Sequence, residues 1–226
     1  MTANKPSGNE VAADYDEIDA LSGERVIARN VPYEDYLTGK YGQHTEWVNE
    51  VVVAMSPIEE KNDRITRFLS AVFDTYLELT KGGRVLQEPM VMKTAPNLPG
   101  REPDLQVLLP DHLHLLQNTQ VAGAANLVVE IVSLESGDRD RGAKFTEYEK
   151  GGVAEYWILD PTRREALFYV RGEDGLFHNH LPIEGIYAST VLSKLNLQVD
   201  LLWREKLPST REAVQMIEAM LQENQS

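Results

Sequence analysis

The 226-residue sequence contains no cysteine, which excludes disulfides, thiolate metal sites and a cysteine nucleophile. No apolar run approaches the roughly 20 residues that a membrane-spanning helix needs. The first residues also lack the basic-then-apolar pattern of an export signal. Together these absences predict a cytoplasmic protein with no membrane partner.

Positive charge is scarce as well, because 22 lysines and arginines stand against 36 acidic residues, giving a formal net charge of −14. Nucleic-acid binders generally present a basic face, so this balance argues against a general one. Residues 1–24 contribute −5 of the total, since six acids there are offset by Lys5 alone. They show no apolar period and are interpreted as a disordered acidic arm, which leaves residues 25–226 as a single domain.

Apolar spacing predicts strands and helices in alternation. Residues 127–132 are an apolar run typical of a buried strand, and Asp140, Lys144 and Tyr148 then recur every four residues, so as a helix they share one face. Gly151 ends that helix before a strand at 155–160. Further strands are predicted at 45–55, 84–93, 102–109 and in four short pieces between 166 and 201, and further helices at 32–37, 59–81, 112–118 and 209–223. The order predicts an α/β (α+β) fold, a mixed central sheet flanked by helices with an antiparallel C-terminal meander.

Glu130 lies in the middle of the apolar strand, where an unpaired carboxylate is strongly disfavoured. If the strand at 102–109 pairs beside it, Asp104 and Glu130 can converge on Mg²⁺ or Mn²⁺, with waters completing the coordination shell. Such a cation makes water a better nucleophile and neutralises phosphoryl charge. Lys144 can then orient that water or stabilise the transition state.

Plainer roles also fit these side chains. Glu130 and Lys144 can form a structural ion pair that gives little net stability. Asp140 can pair with Lys144 at i, i+4, and Tyr148 can pack against the site or donate a hydrogen bond to it. Five cations lie in or near the motifs, so the local potential can differ in sign from the net charge: Arg101, Arg139, Arg141, Lys144 and Lys150.

Four stretches in order resemble the Uma2 (DUF820-like) family of endonucleases, an outlying branch of the PD-(D/E)xK nuclease superfamily: HTEWVNEVVVAMSP, GREPDLQVLL, LVVEIVS and DRDRGAKFTEYEKGGVAEYWILDP. The likeness runs from about Pro32 to about Pro208. It implies a restriction-endonuclease-like fold and Mg²⁺- or Mn²⁺-dependent cleavage of DNA, with a homodimer pairing two sites to cut two strands.

Residue by residue, the resemblance implies that Asp104 is the motif aspartate and Glu130 the second acid. The superfamily lysine stands two residues after that acid, where this chain has Val132, and Lys144 on the next helix is expected to take over its task. Glu46 matches an upstream glutamate expected to be an auxiliary metal or water ligand. Asn62 stands where many members carry histidine, so the rival hypothesis is a catalytically inactive nuclease fold that binds nucleic acid or protein.

Overall fold

The computed structural model describes residues 25–55, 57–80, 82–133 and 137–223, and the predicted acidic arm lies outside them. In these ranges the strands are β1 (Arg25–Ala28), β2 (Thr45–Val48), β3 (Val51–Ala54), β4 (Arg84–Gln87), β5 (Val91–Lys93), β6 (Gly100–Arg101), β7 (Leu105–Leu108), β8 (Gln120–Val121), β9 (Leu127–Ile131), β10 (Glu155–Asp160), β11 (Glu165–Arg171), β12 (Phe177–Asn179), β13 (Ile186–Ala188) and β14 (Asn196–Gln198). The α-helices are α1 (Tyr33–Tyr36), α2 (Glu60–Leu79), α3 (Gly137–Arg141), α4 (Ala143–Gly151) and α5 (Thr210–Glu223). None of the described helices combines the length and apolar character that crossing a bilayer requires.

The strands form two six-stranded sheets and one separate pair. The first sheet has the order β1-β3-β2-β6-β5-β8, the second has the order β12-β11-β10-β9-β7-β4, and β13 pairs with β14. Mixed α+β architecture is therefore confirmed, with two large mixed sheets in place of the single central sheet that the sequence predicts. Glu46 lies on β2 in the first sheet, whereas Glu130 lies on β9 in the second.

The second sheet is buried on both faces at its centre. Leu127, Val129 and Ile131 of β9 point into the main core, where they meet the apolar stripe of α2, as the spacing of that stripe predicts. Val128 and Val132 point to the opposite face, into a smaller apolar cluster that includes Tyr148 of α4. Side chains alternate along a strand, so Glu130 faces α4 rather than the main core.

The strand predicted at 45–55 is instead a hairpin, β2 and β3, paired in antiparallel register from Thr45 opposite Ala54 to Val48 opposite Val51. Asn49 and Glu50 form its two-residue turn with φ of 50° and 64°. Turns of this kind need positive φ at both central residues and usually carry glycine at the second. Here Glu50 stands at that position, so the sequence lacks the usual sign of a turn.

Other predicted elements break in two or change type. The strand predicted at 84–93 splits into β4 and β5, which belong to different sheets. The helix predicted at 112–118 is a 3-10 helix at Pro110–Leu115. The predicted antiparallel C-terminal strands are found, but β12 joins the edge of the second sheet while β13 and β14 pair apart from it.

Candidate active site

The two predicted metal acids lie side by side. β7 and β9 are antiparallel neighbours with Leu105 opposite Val129, so the residue before Leu105 falls opposite the residue after Val129. Those residues are Asp104 and Glu130. The Oδ2 atom of Asp104 also accepts a hydrogen bond of 2.6 Å from the backbone N–H of Ile131, which fixes its orientation.

Lys144, which lies on α4, occupies the centre of a cluster of acidic side chains from other elements. Its Nζ lies 2.9 Å from Glu130 Oε2, 3.2 Å from Glu46 Oε1 and 3.5 Å from Asp140 Oδ1, and only 1% of its side chain is exposed. The Tyr148 hydroxyl, one turn along, donates a 2.6 Å hydrogen bond to Glu130 Oε1. The face shared by Asp140, Lys144 and Tyr148 thus looks back at Glu130 as predicted, although Gly142 divides it between α3 and α4.

Glu46 brings the first sheet into the same cluster. Its Oε2 lies 2.7 Å from Arg101 Nη1, and its Oε1 faces Lys144. Arg101 in turn makes a bidentate pair with Glu147 on α4, at 2.8 and 2.9 Å. Glu46 is completely buried and supplies a counter-charge to Lys144. Because Arg101 lies on β6 of the same sheet as Glu46, these contacts tie the first sheet to α4.

The ionisation of these groups follows from burial and neighbouring charge. Burial raises the pKa of Asp104 to about 7 and that of Glu130 to about 8, because Lys144 only partly offsets the lost hydration. Burial also acts to raise the pKa of Glu46, but Lys144 and Arg101 outweigh it and lower that pKa to about 2. Burial disfavours the charge of Lys144, yet the surrounding carboxylates hold its pKa well above its usual value. This direction favours a charged Lys144 that stabilises negative charge over a neutral Lys144 that acts as a general base.

A cavity of about 50 Å³ opens beside Asp104 and Glu130. Its charged lining is dominated by acids, with Glu59, Glu88, Glu102, Asp104, Glu130 and Asp140 against Arg139 and Lys144. The other three cations predicted near the motifs are not part of this lining. Arg101 is tied to Glu46, and Arg141 binds Asp160 and Glu165, each at 2.9 Å.

The donor set fits a hard divalent cation. Among the described residues no group of three or more His, Asp or Glu side chains is arranged as a ready-made metal centre. Mg²⁺, however, is often held by one or two carboxylates and keeps several waters. Asp104 and Glu130 supply two such groups at the wall of a cavity. Carboxylate oxygens are donors that Mg²⁺ prefers, so the residues present fit a two-carboxylate site.

The structure brings every predicted site residue into one connected cluster and adds residues that sequence reasoning passed over. Glu88 lines the cavity and pairs with His44. Glu102 lines the cavity too, and burial raises its pKa to about 8. Its signal was present in the sequence, because Glu102 and Asp104 alternate in the strand predicted at 102–109, although β7 itself begins only at Leu105. The sequence carries no such signal for Glu88, because its place beside the cavity depends on the turn that leads from β4 in the second sheet to β5 in the first.

Asn62, the position that departs from histidine, also reaches the site. It lines the cavity, and its Nδ2 donates hydrogen bonds to the carbonyls of Ile131 and Val132 at 3.1 and 3.4 Å. These bonds hold the end of β9, so Asn62 has a positioning role even without an imidazole.

Comparisons with known proteins agree with this architecture. The model of the Uma2 family, described as "Putative restriction endonuclease", matches residues 33–199. The fold is similar to the crystal structure of a "putative nuclease belonging to DUF820" from Anabaena variabilis ATCC 29413, with a TM-score of 0.57 and 15% identity over 70% of this chain and 89% of that one. At that identity the likeness concerns the fold. No curated protein matches the chain.

Proposed function

The chain belongs to the Uma2 family, and on that premise we propose that it is an endonuclease that uses Mg²⁺ or Mn²⁺ to hydrolyse DNA phosphodiester bonds. The observation that carries the proposal is the convergence of Asp104, Glu130 and Lys144 on one cavity. Two carboxylates and a lysine are the functional groups that metal-assisted phosphoryl transfer requires.

The charge of the cavity supports a metal-dependent reaction. Six acidic and two basic side chains line it, so the cavity offers more ligands for a cation than counter-charges for a phosphate that enters alone. A divalent cation held by Asp104 and Glu130 would supply positive charge to the phosphoryl oxygens and acidify a water molecule.

The protein's own groups divide the remaining tasks. Lys144 stays protonated, so it can donate hydrogen bonds to a reacting oxygen or stabilise negative charge developing on the phosphoryl group. Tyr148 holds Glu130 Oε1 from behind, and the backbone N–H of Ile131 holds Asp104. Glu46 and Asp140 keep Lys144 charged and in place. Glu46 therefore fits a positioning role better than that of an auxiliary metal ligand.

The first test is nicking of supercoiled plasmid in Mg²⁺ and in Mn²⁺, with EDTA as the metal-free arm. Glu130→Gln keeps the size of the side chain but weakens the metal site, and should lower the rate at least about 100-fold, because a metal contributes several kcal/mol to the transition state. Glu218→Gln, an exposed change on α5, is the control and should cut like the parent.

Mn²⁺ binding gives a second readout that does not require turnover. Calorimetry should detect binding to the parent and to Glu218→Gln, and much weaker binding to Glu130→Gln. If the parent cuts no DNA and binds no Mn²⁺, the metal site is wrong and the inactive binding module replaces this proposal. A homodimer, proposed because two sites are needed to cut two strands, is checked by sedimentation.

A further inference from the structure

A second pocket adjoins the catalytic cavity, and Glu102 forms part of both walls. The second pocket has a volume of about 380 Å³, within the range of about 300–1,000 Å³ usual for small-molecule sites. It is bounded by α1 on one side and by the segment joining β4 to β5 on the other. It is therefore large enough for a group that the catalytic cavity cannot hold.

The Glu102 carboxyl and the Thr45 hydroxyl are polar groups of this pocket that lack a full set of partners among the described residues. Glu102 is 5% exposed, and its Oε1 accepts a hydrogen bond of 3.1 Å from the Tyr36 hydroxyl. Its Oε2 is buried without a hydrogen-bond partner among the described residues. A buried carboxyl oxygen without a partner is costly, so a ligand that supplies one would be favoured.

The rest of the lining selects the kind of ligand. No lysine or arginine stands among the described residues that line the pocket, so a phosphate would find no counter-charge there. Leu37, Pro89 and Met90 give apolar walls, and Gln43 and Asn118 give amides that both donate and accept. Apolar faces with hydrogen-bonding groups at the edges suit a flat, uncharged, polar-edged ring. A nucleobase has that chemistry.

The two pockets together separate the parts of a nucleotide. With the proposed metal ion bound, the catalytic cavity suits the phosphate, and the neighbouring pocket, whose described lining has no lysine or arginine, suits the base. A base stacked and paired in a duplex cannot enter such a pocket, whereas an unpaired base enters at little cost. We propose that the second pocket receives an unstacked nucleobase next to the scissile phosphate, and that the enzyme prefers single-stranded or locally unpaired DNA. This inference rests on the proposed nuclease function.

The test is the cleavage pattern of an end-labelled single strand in Mn²⁺, compared with the same strand carrying one abasic site at its centre. The linkage whose base occupies the pocket should be cut about tenfold less when that base is missing, leaving one gap in the ladder, while distant linkages are unaffected. The same strand in a duplex should be cut about tenfold more slowly, and a mismatch should restore cleavage beside it.

Two matched variants connect the gap to the pocket. Thr119→Trp places a large side chain at an exposed position of the pocket lining and should block the pocket. Every linkage of the intact strand should then be cut as slowly as the linkage at the abasic site is cut by the parent. The abasic site should no longer produce a gap in the ladder. Gln117→Trp alters an exposed residue of the same segment that does not line the pocket, and should keep both the rate and the gap.

The outcomes distinguish this inference from the function on which it rests. Cleavage with no gap at any abasic position, or with equal rates on single strand and duplex, overturns the base pocket and leaves the nuclease standing. Failure to cut plasmid, duplex or single strand in either metal overturns the nuclease, and the base pocket with it.

Discussion

Replacing Lys144 by methionine should destabilise the fold strongly and in a pH-dependent way. Methionine keeps most of the aliphatic stem but removes the charge that three carboxylates share within 3.5 Å. Removing one partner from a buried ion cluster leaves uncompensated charge and costs about 3–5 kcal/mol. With a urea dependence of about 2 kcal/mol per molar, the unfolding midpoint should fall by about 2 M.

The pH dependence follows from the sign of the pKa shifts. Lys144 lowers the pKa of Glu46 and opposes the rise at Glu130, so its loss moves both pKa values upward in the folded state. When folding raises the pKa of a carboxyl group, the protein loses stability as the pH rises above the pKa of that group in the unfolded chain, about 4.3. The deficit of Lys144→Met relative to the parent should therefore be smaller at pH 5 than at pH 8.

Urea unfolding at both pH values is the assay, and Arg67→Met is the matched control. Arg67 forms an i, i+4 pair of 2.7 Å with Asp63 on α2, but 77% of its side chain is exposed. Its replacement should leave the midpoint nearly unchanged at either pH. Adding Glu130→Gln to Lys144→Met should recover part of the loss. Equal midpoints for the Lys144 and Arg67 variants would refute the buried cluster as described.

Two further predictions concern buried carboxylates other than the two proposed metal ligands. Glu46→Gln should remove about 3 kcal/mol of stability at neutral pH, because folding lowers the pKa of Glu46 from 4.5 to about 2. The parent itself loses this contribution between about pH 5 and 2, as Glu46 becomes protonated. The difference between the urea midpoints of parent and variant should therefore narrow as pH falls. Glu155→Gln should cost about 3 kcal/mol or more, because a neutral amide cannot accept all six hydrogen bonds that its two oxygens receive. A loss below about 1 kcal/mol, relative to exposed Glu218→Gln, would contradict that accounting.

The sequence predicted the elements with strong periodicity and the groups that depend on local spacing. The stripe of α2 and the i, i+4 face of Asp140, Lys144 and Tyr148 are both set by the helical repeat, and both are found where predicted. Glu130 in an apolar strand required a partner, and the structure supplies Lys144 and Tyr148.

The errors arise where tertiary context outweighs local pattern. Pro89 marks a break in the strand predicted at 84–93, but no local pattern shows that Val85 and Met92 belong to different sheets. The apolar run around Glu50 conceals a turn because glutamate rarely adopts positive φ. The placement of Glu46 depends on how the first sheet meets α4. That contact runs through Lys144 and through Arg101, whose pairing with both Glu46 and Glu147 has no sequence period.

The displaced lysine has a physical reason in the packing of β9. Val132 follows Glu130 on the same face and is 5% exposed, packed in the apolar cluster of that face. A lysine there would have to bury its stem and charge where the chain uses an apolar side chain. α4 packs on that face of β9, and its Tyr148 donates a hydrogen bond to Glu130. A lysine one helical turn before Tyr148 therefore reaches the same carboxylate. Lys144 occupies that position, and the backing acids Glu46 and Asp140 preserve its charge in a buried setting where a lone lysine would lose its proton.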